Sequence, residues 1–352
     1  MTTVDEAPPP PPRATLTDVA RLAGVSAKTV SRVMSGGTHV SPETRQQVMA
    51  AARRLRFRPN DIASSLRRGS VTTTVGFVIG DLTNPFYFSV AAGIERELAA
   101  EGLIMILAAT DDDPGTEERV VETLLKQRVR ALIMVPIADD QSYLDGERQL
   151  GTPLVFVDRP PHNLAGDTVT LDNHDGMADA VRSLTSIGHR RIAFVCRPGS
   201  LYTHQQRLAG YRQALREAGV MDTSRWERTE SLDGPSEEES VRDLLALPDP
   251  PTAIVAGNNK ASAAVLRALG ERRDEFAFIG FDDFDFADSA GLTVVAHDAV
   301  ELGRRAARLA LDRLARPEGD IQTIHIPTRL IQRGSGERPP APTTFEDVPQ
   351  AP

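Results

Sequence analysis

From position 75 onward the chain alternates short, fully apolar runs with amphipathic helical patterns. No other feature narrows the choice of fold as much. The apolar runs are 75–79, 103–107, 131–135, 154–157, 192–195, 253–255 and 277–279. Helical patterns lie between them at 86–100, 116–126, 175–186, 205–218 and 261–269. A strand that is apolar at every position is buried on both faces, and strands alternating with helices argue for parallel sheets covered by helices. Some 260 residues of this pattern are too many for one sheet, so two α/β lobes are expected. There is no short repeat of the solenoid kind.

Ahead of this body lies a different texture. Positions 1–13 contain an unbroken proline run, Pro8 to Pro12, and read as a disordered tail. Short helices follow. Thr17 reads as the first N-cap, with Val19, Leu22 and Ala23 at helical spacing and Gly24 as the break. Ser26 caps a second helix with Val30 and Val33 inward, ended by Gly36 and Gly37. Ser41-Pro42-Glu43 opens a third, with Val48, Ala52 and Leu55 as its apolar stripe and Pro59 closing it. Asn60 can cap a short fourth carrying Ile62, Ala63 and Leu66, which Gly69 ends. The stretch 334–352 reads as a second disordered tail.

Charge divides the chain in the same place. The whole carries −9, yet 13–70 carries +8 and 71–352 carries −15. A basic head is drawn to polyphosphate, and an acidic body is repelled by it. Several function classes fall away. No apolar run approaches the ~18 residues of a membrane span. Positions 1–12 are acidic and proline-rich, unlike a secretory signal, so a cytoplasmic protein is expected. One cysteine, Cys196, cannot form an intrachain disulfide, and seven scattered histidines offer no zinc spacing. No metal and no cofactor is expected. An enzyme is disfavoured: there is no P-loop and no G-x-S-x-G elbow. Asp282 and Asp283, being adjacent, would face opposite sides of a strand. His189 reads as structural and Cys196 as a small buried hydrophobe.

The segment 16–34 reads as a helix-turn-helix, with Gly24 supplying the tight turn. Its second helix would lie in the major groove with Ala27, Lys28 and Thr29 in the first turn. Arg32 stands one turn beyond Lys28 on the same face, and both cations suit guanine O6 and N7. Thr17, Ser26, Thr29 and Ser31 offer hydroxyls or capped amides to phosphate.

The run Asp18-Val19-Ala20 through Ala23-Gly24-Val25-Ser26 to Thr29-Val30-Ser31-Arg32-Val33 resembles the DNA-binding head of the LacI/GalR family of bacterial transcriptional regulators. The likeness continues in Val40-Ser41-Pro42-Glu43-Thr44-Arg45 and Leu55-Arg56-Phe57-Arg58-Pro59-Asn60. In the body it returns at Asn84-Pro85-Phe86, Arg207-Leu208-Ala209-Gly210-Tyr211, Ile279-Gly280-Phe281-Asp282-Asp283, Glu301-Leu302-Gly303 and Arg329-Leu330-Ile331. Spaced motifs in the right order are far more specific than one.

The resemblance implies a repressor that is a homodimer on a near-palindromic DNA operator, with a small-molecule effector. It implies a head at 14–58, a hinge helix and linker at 59–72, and a two-lobed effector-binding body at 73–333 of periplasmic-binding-protein type. In the hinge, Asn60, Ser64, Leu66 and Arg67 would meet DNA, Leu66 as the wedge between base pairs in the minor groove. Ser35 and Ser64 depart from the family's usual Asn and Arg. Ala27 and Lys28 occupy its most variable positions, so no relative's operator carries over.

In parallel α/β lobes ligands bind beyond the C-terminal strand ends. Asp81, Asp158, Asn258, Asn259 and Asp282 all follow apolar runs, and such groups suit a sugar or sugar-like ligand rich in hydroxyls. By family position Arg207 and Asp282 are the regular effector contacts and Asp158 a frequent one. Asp81 and Asn258 read equally as turn or cap residues, and Phe86 and Phe281 equally as an aromatic wall or as core. Asn259 and Asp298 replace the family's usual Asp and Pro, and Lys260 adds a charge beside Asn259. One rival remains, a body serving only dimerisation; an extracytoplasmic binding protein is not expected, given the basic head and the lack of a signal-like start.

Overall fold

The computed structural model describes residues 14–35, 39–57, 72–198, 200–230 and 233–341. The readings of the tail 1–13, of Gly36 and Gly37, and of Pro59, Asn60, Ile62, Ala63, Ser64, Leu66, Arg67 and Gly69 lie outside these residues. The chain divides into two units, Met1–Thr72 and Thr73–Pro352.

The first unit is built from α1 (Leu16–Ala23), α2 (Ala27–Met34) and α3 (Pro42–Arg54). The cap of α1 is Thr15 rather than Thr17. A capping box needs an acid three residues after the cap. Asp18 completes it for Thr15, accepting the Thr15 amide at 2.9 Å, whereas a cap at Thr17 would meet Ala20. Gly24 closes α1 at φ 66°, a left-handed conformation that glycine adopts without strain. Ser26 and Ser41 cap α2 and α3 through Thr29 N (3.1 Å) and Thr44 N (3.2 Å). Val19, Ala20, Val30, Val33, Val48, Ala51 and Ala52 are buried together as the core of the head. Leu22 instead faces solvent.

The second unit holds two six-stranded sheets. The first contains β1 (Thr74–Ile79), β2 (Ile104–Ala109), β3 (Leu132–Met134), β4 (Leu154–Val157), β5 (Asp167–Leu171) and β11 (Thr323–Ile326), in the order β11-β5-β4-β3-β1-β2 and wholly parallel. The second contains β6 (Ile192–Val195), β7 (Glu227–Arg228), β8 (Ala253–Ala256), β9 (Ala277–Phe281), β10 (Thr293–His297) and β12 (Thr328–Ile331), in the order β12-β10-β9-β8-β6-β7. Its β12 runs antiparallel to β10, a departure from purely parallel pairing, because the chain returns from the first sheet through Pro327 alone. Seven strands coincide with the apolar runs. The other five, β5, β7, β10, β11 and β12, carry polar residues or lie at sheet edges, where one face need not be apolar.

Helices α4 (Pro85–Ala100), α5 (Pro114–Lys126), α7 (Asn173–Ser186), α8 (Tyr202–Glu217) and α10 (Asn259–Leu269) follow the helical patterns. A short α6 (Asp145–Gln149), α9 (Glu237–Leu245) and α11 (Ala299–Ala315) complete the set among the described residues. The chain passes between lobes three times, each time through a single residue: Asp172, Asp298 and Pro327. Gly93 on α4 and Gly303 on α11 let these helices touch backbone to backbone. A Cβ on Gly303 would lie 2.0 Å from the Val90 carbonyl oxygen.

The expectation of a disordered tail from 334 is corrected for 334–341. Ser335 is buried and bridges two strands: its hydroxyl donates to Phe278 O (2.7 Å) and accepts from Thr293 N (2.8 Å). Glu337 takes the Thr293 hydroxyl, and His189 bonds Arg338 O at 2.8 Å. Composition pointed to a tail; these polar contacts with the second lobe are invisible to it.

Candidate ligand cleft and nucleic-acid interface

In the parallel sheets of both lobes the strand ends open onto one cavity of about 350 Å³. Asp81, Phe86 and Asp158 line it from the first lobe, and Arg207, Asn258 and Asp282 from the second. Asp158 and Asp282 occupy equivalent places. Each follows the fourth strand of its lobe in a left-handed conformation, φ 69° and 74°, which aspartate tolerates better than most residues. Each donates its amide to the next strand, at Val169 O (2.9 Å) and Val295 O (3.0 Å).

Their surroundings then set them apart. Asp282 accepts from His297 Nε2 (2.8 Å) and Asn259 N (3.1 Å). Burial pushes its carboxyl up, but the His297 hydrogen bond and the Arg207 charge outweigh burial and hold it below the usual range. Asp158 has no such hydrogen bonds to its carboxylate, and burial outweighs the charges of Arg159, at 3.6 Å, and Arg207 and pushes its carboxyl up. Arg207 is clamped: Nε donates to Asn173 Oδ1 (2.8 Å), Nη1 to Gly257 O (2.5 Å), and the guanidinium lies 3.7 Å over the Phe281 ring. Phe281 is fully buried, so it is the support beneath the arginine and no wall of the cavity. Phe86 stands edge-on to His297, ring centres 5.4 Å apart.

Asn258 caps α10, its Oδ1 accepting from Ala261 N at 2.7 Å. Its Nδ2 lies 3.2 Å from His204 Nε2. His204 Nδ1 is 2.7 Å from Pro198 O, a carbonyl that can only accept, so the proton sits on Nδ1 and Nε2 accepts from Asn258. Burial, then the nearby Arg207 charge, pushes the His204 pKa down to about 3. An unfolded histidine takes a proton below about pH 6.5, whereas folded His204 does not. Stability should therefore fall with pH from 6.5 towards 3, by up to about 1.4 kcal/mol per pH unit from this group. Urea denaturation at about pH 7.5, 6 and 5 should show a shallower fall for His204→Gln than for the parent. Identical slopes would remove His204 as the source.

The lobes also meet at the cleft mouth. Lys260 on α10 pairs with Asp81, and Asn259 Nδ2 donates to Asn84 Oδ1 at 2.8 Å. Asn259 thus reaches across the lobes rather than into the cavity lining. Sequence reasoning missed Asp112, Arg159, Arg197, His204 and Glu237, which line the same cavity. Arg159 directly follows a strand-end aspartate, and Asp112 belongs to the Asp111-Asp112-Asp113 run after β2. Both could have been found by the strand-end rule already applied to Asp158.

In the head, Thr17, Ala27, Lys28, Ser31 and Arg32 are exposed. Ser26 and Thr29 share a hydroxyl contact of 2.8 Å within the α2 cap. Asn60, Ser64, Leu66 and Arg67 fall outside the described residues. Among the described residues, no helix is long and apolar enough to cross a membrane. His189 bridges Thr252 and Arg338, and Cys196 is buried beneath Gly257, both in structural settings.

Comparisons with known proteins fall on the same two units. Residues 15–60 match the model for bacterial regulatory proteins of the lacI family, and 72–334 the model for periplasmic binding proteins and the sugar binding domain of the LacI family. The chain is 32% identical over 329 residues to the ribose operon repressor of Escherichia coli (strain K12), covering 92% of this chain and 99% of that one. It is 30% identical over 333 residues to the HTH-type transcriptional repressor PurR of Mannheimia succiniciproducens, covering 92% and 98%. Among solved structures, the lac repressor dimer bound to operator and the anti-inducer ONPF matches with a TM-score of 0.78 at 26% identity, covering 92% of this chain and 99% of that one. A helix-turn-helix head and a two-lobed sugar-binding-type body in one chain, matched along nearly their whole length by transcriptional regulators, place this protein in the LacI family of bacterial regulatory proteins.

Proposed function

We propose that this repressor binds a near-palindromic operator as a homodimer in the bacterial cytoplasm and that a sugar or sugar-like effector in the interlobe cleft sets its DNA affinity. The observation that carries this reading is the polar cavity of about 350 Å³, with Arg207 and Asp282 both held in place by buried partners. A donor fork and an acceptor fixed in this way can hold hydroxyls without a further ordering cost. The domain reading is a head at 14–58, a hinge at 59–72 and an effector body from 73. Effector and operator favour different arrangements of the lobes, joined by three single-residue crossings, so each changes the other's affinity by the same factor.

The roles follow. Asp81, Asp158, Arg207, Asn258 and Asp282 shape the effector site, with Phe86 and Asn259 at its edge and Phe281 beneath Arg207. Thr17, Ser26, Ala27, Lys28, Thr29, Ser31 and Arg32 face DNA, joined by Asn60, Ser64, Leu66 and Arg67 of the hinge. Arg207→Ala and Asp282→Ala should each weaken the effector by about ten- to a hundredfold, from the loss of one charge-assisted hydrogen bond. Operator affinity without effector should stay near the parent's. Calorimetry with ribose and other sugars, beside an operator titration, tests this. Unchanged sugar affinity in both variants would sink the site assignment. Lys28→Ala should relax preference at one base pair of each half-site, by about 1–3 kcal/mol of discrimination. A binding-site selection that returned the parent's consensus would refute that role.

A further inference from the structure

Resting on the reading of the cleft as the effector site, we propose that its ligand is a neutral polyhydroxyl compound, neither phosphorylated nor carboxylated, and that Asp112 is one of the acceptors for its hydroxyls.

The argument is one of charge already spent and charge left over. Each positive group of the cleft is engaged by protein partners, although Arg159 Nε is buried without a hydrogen bond and Arg207 keeps Nη2 for a ligand. Arg207 is held by Asn173, Gly257 O and the Phe281 ring. Arg159 donates to Pro136 O (3.3 Å) and Tyr87 Oη (3.4 Å) and lies beside Asp158. Arg197 donates to Gly234 O (3.2 Å) and pairs with Glu237 at 3.7 Å. Lys260 is taken by Asp81. Six acids line the cavity against these four bases, so a ligand meets a negative surplus.

That surplus has an address. Asp112 follows β2 at φ 52°, and its Oδ1 rests against Gly80 with no hydrogen-bond partner. Burial accordingly pushes its carboxyl up. At Asp158, across the same lobe, burial outweighs the charges of Arg159 and Arg207. A phosphate or carboxylate in this cavity would face both acids, whereas a hydroxyl donates to them. Helix amino ends, the other common anion traps, are partly closed. Asn84 caps α4 at Phe86 N (3.1 Å), and Asn258 and Asp282 take the first amides of α10. The amino ends of α5, at Asp113, and α8, at Leu201, have no side-chain cap and are where an anion would have to bind.

The test uses the full chain and matched probes. Ribose is compared with ribose 5-phosphate, and glucose, galactose and cellobiose with their phosphates and uronic acids, by calorimetry at constant ionic strength. We expect a neutral sugar to bind at least about tenfold more tightly than its own phosphate or acid. Asp112→Asn should weaken that sugar while narrowing its advantage over the anion. An anionic member binding as tightly as its neutral parent overturns the proposal. In a second arm, inorganic phosphate is titrated during thermal melts of the parent and of Asp112→Asn, since asparagine also tolerates the left-handed backbone. We expect no saturable stabilisation by phosphate, and a higher melting temperature for Asp112→Asn because a charge whose burial outweighs the nearby Arg159 and Lys260 charges is removed. Saturable stabilisation by phosphate, or a lower melting temperature for the variant, overturns the charge argument even if no sugar binds. If no sugar of either kind binds while the second arm behaves as expected, the sugar reading fails and the exclusion of anions stands.

Discussion

Raising monovalent salt from about 50 to 200 mM should lower operator affinity by roughly 10³–10⁵, the loss expected when about six to ten phosphates are neutralised. The source is the +8 concentrated in 13–70, against −15 in the rest of the chain. The described head keeps Arg21, Lys28, Arg32, Arg53, Arg54 and Arg56 exposed, and of these only Arg21 has an acidic neighbour among the described residues, Asp18 at 3.4 Å. With so little internal pairing, their charge remains for phosphate. The log–log slope should be about −0.9 for each phosphate neutralised, and each Arg→Ala change that removes a contact should make it shallower by about one. Fluorescence anisotropy with a cognate operator across the salt series measures it. A nearly flat response would mean that the head's charge is not the main source of affinity.

Gly303→Val should destabilise the body by about 3 kcal/mol or more, roughly a hundredfold in its folding equilibrium. Side chains in a crowded core can change rotamer, but here the obstacle is main chain. The new Cβ would sit 2.0 Å from Val90 O and 2.9 Å from the Val90 carbonyl carbon. Gly93, on the facing helix, meets Val300 O in the same way at 2.1 Å, so α4 and α11 would have to separate along their whole crossing. Since α11 also enters the first lobe directly after the Asp298 crossing, such a separation would disturb the path between the lobes. Urea midpoints report the loss. Gly146→Ala, where no atom lies within 4 Å of the new Cβ, serves as the neutral control. A Gly303→Val midpoint equal to the parent's would show that the helices can part without cost.

Much of the architecture was legible in the residues, because it depends on local patterning. Buried parallel strands must be apolar on both faces, so β1, β4, β6 and β8 stood out as continuous runs. Capping is equally local: Ser26 and Ser41 were placed correctly, and Thr17 was displaced to Thr15 only because the reciprocal acid, Asp18, lies three residues after Thr15. The strand-end rule found Asp158 and Asp282 as cleft residues, since a parallel sheet presents all its C-terminal ends on one side. What pairing across distance decides was not legible. The edge strand β11 pairs with β5, more than 100 residues away, β12 pairs with β10 across an intervening helix and strand, and the polar segment 334–341 is ordered by Phe278, Thr293 and His189. Likewise, the differing fates of the strand-end residues belong to the tertiary structure. Asp282 is held ionised by His297, at Asp158 and Asp112 burial outweighs the nearby arginine charges, Asn258 is turned into a cap, and Phe281 is placed beneath Arg207. A residue's type states what it can donate, accept or bury, and only the groups brought against it by the fold determine which of these it does.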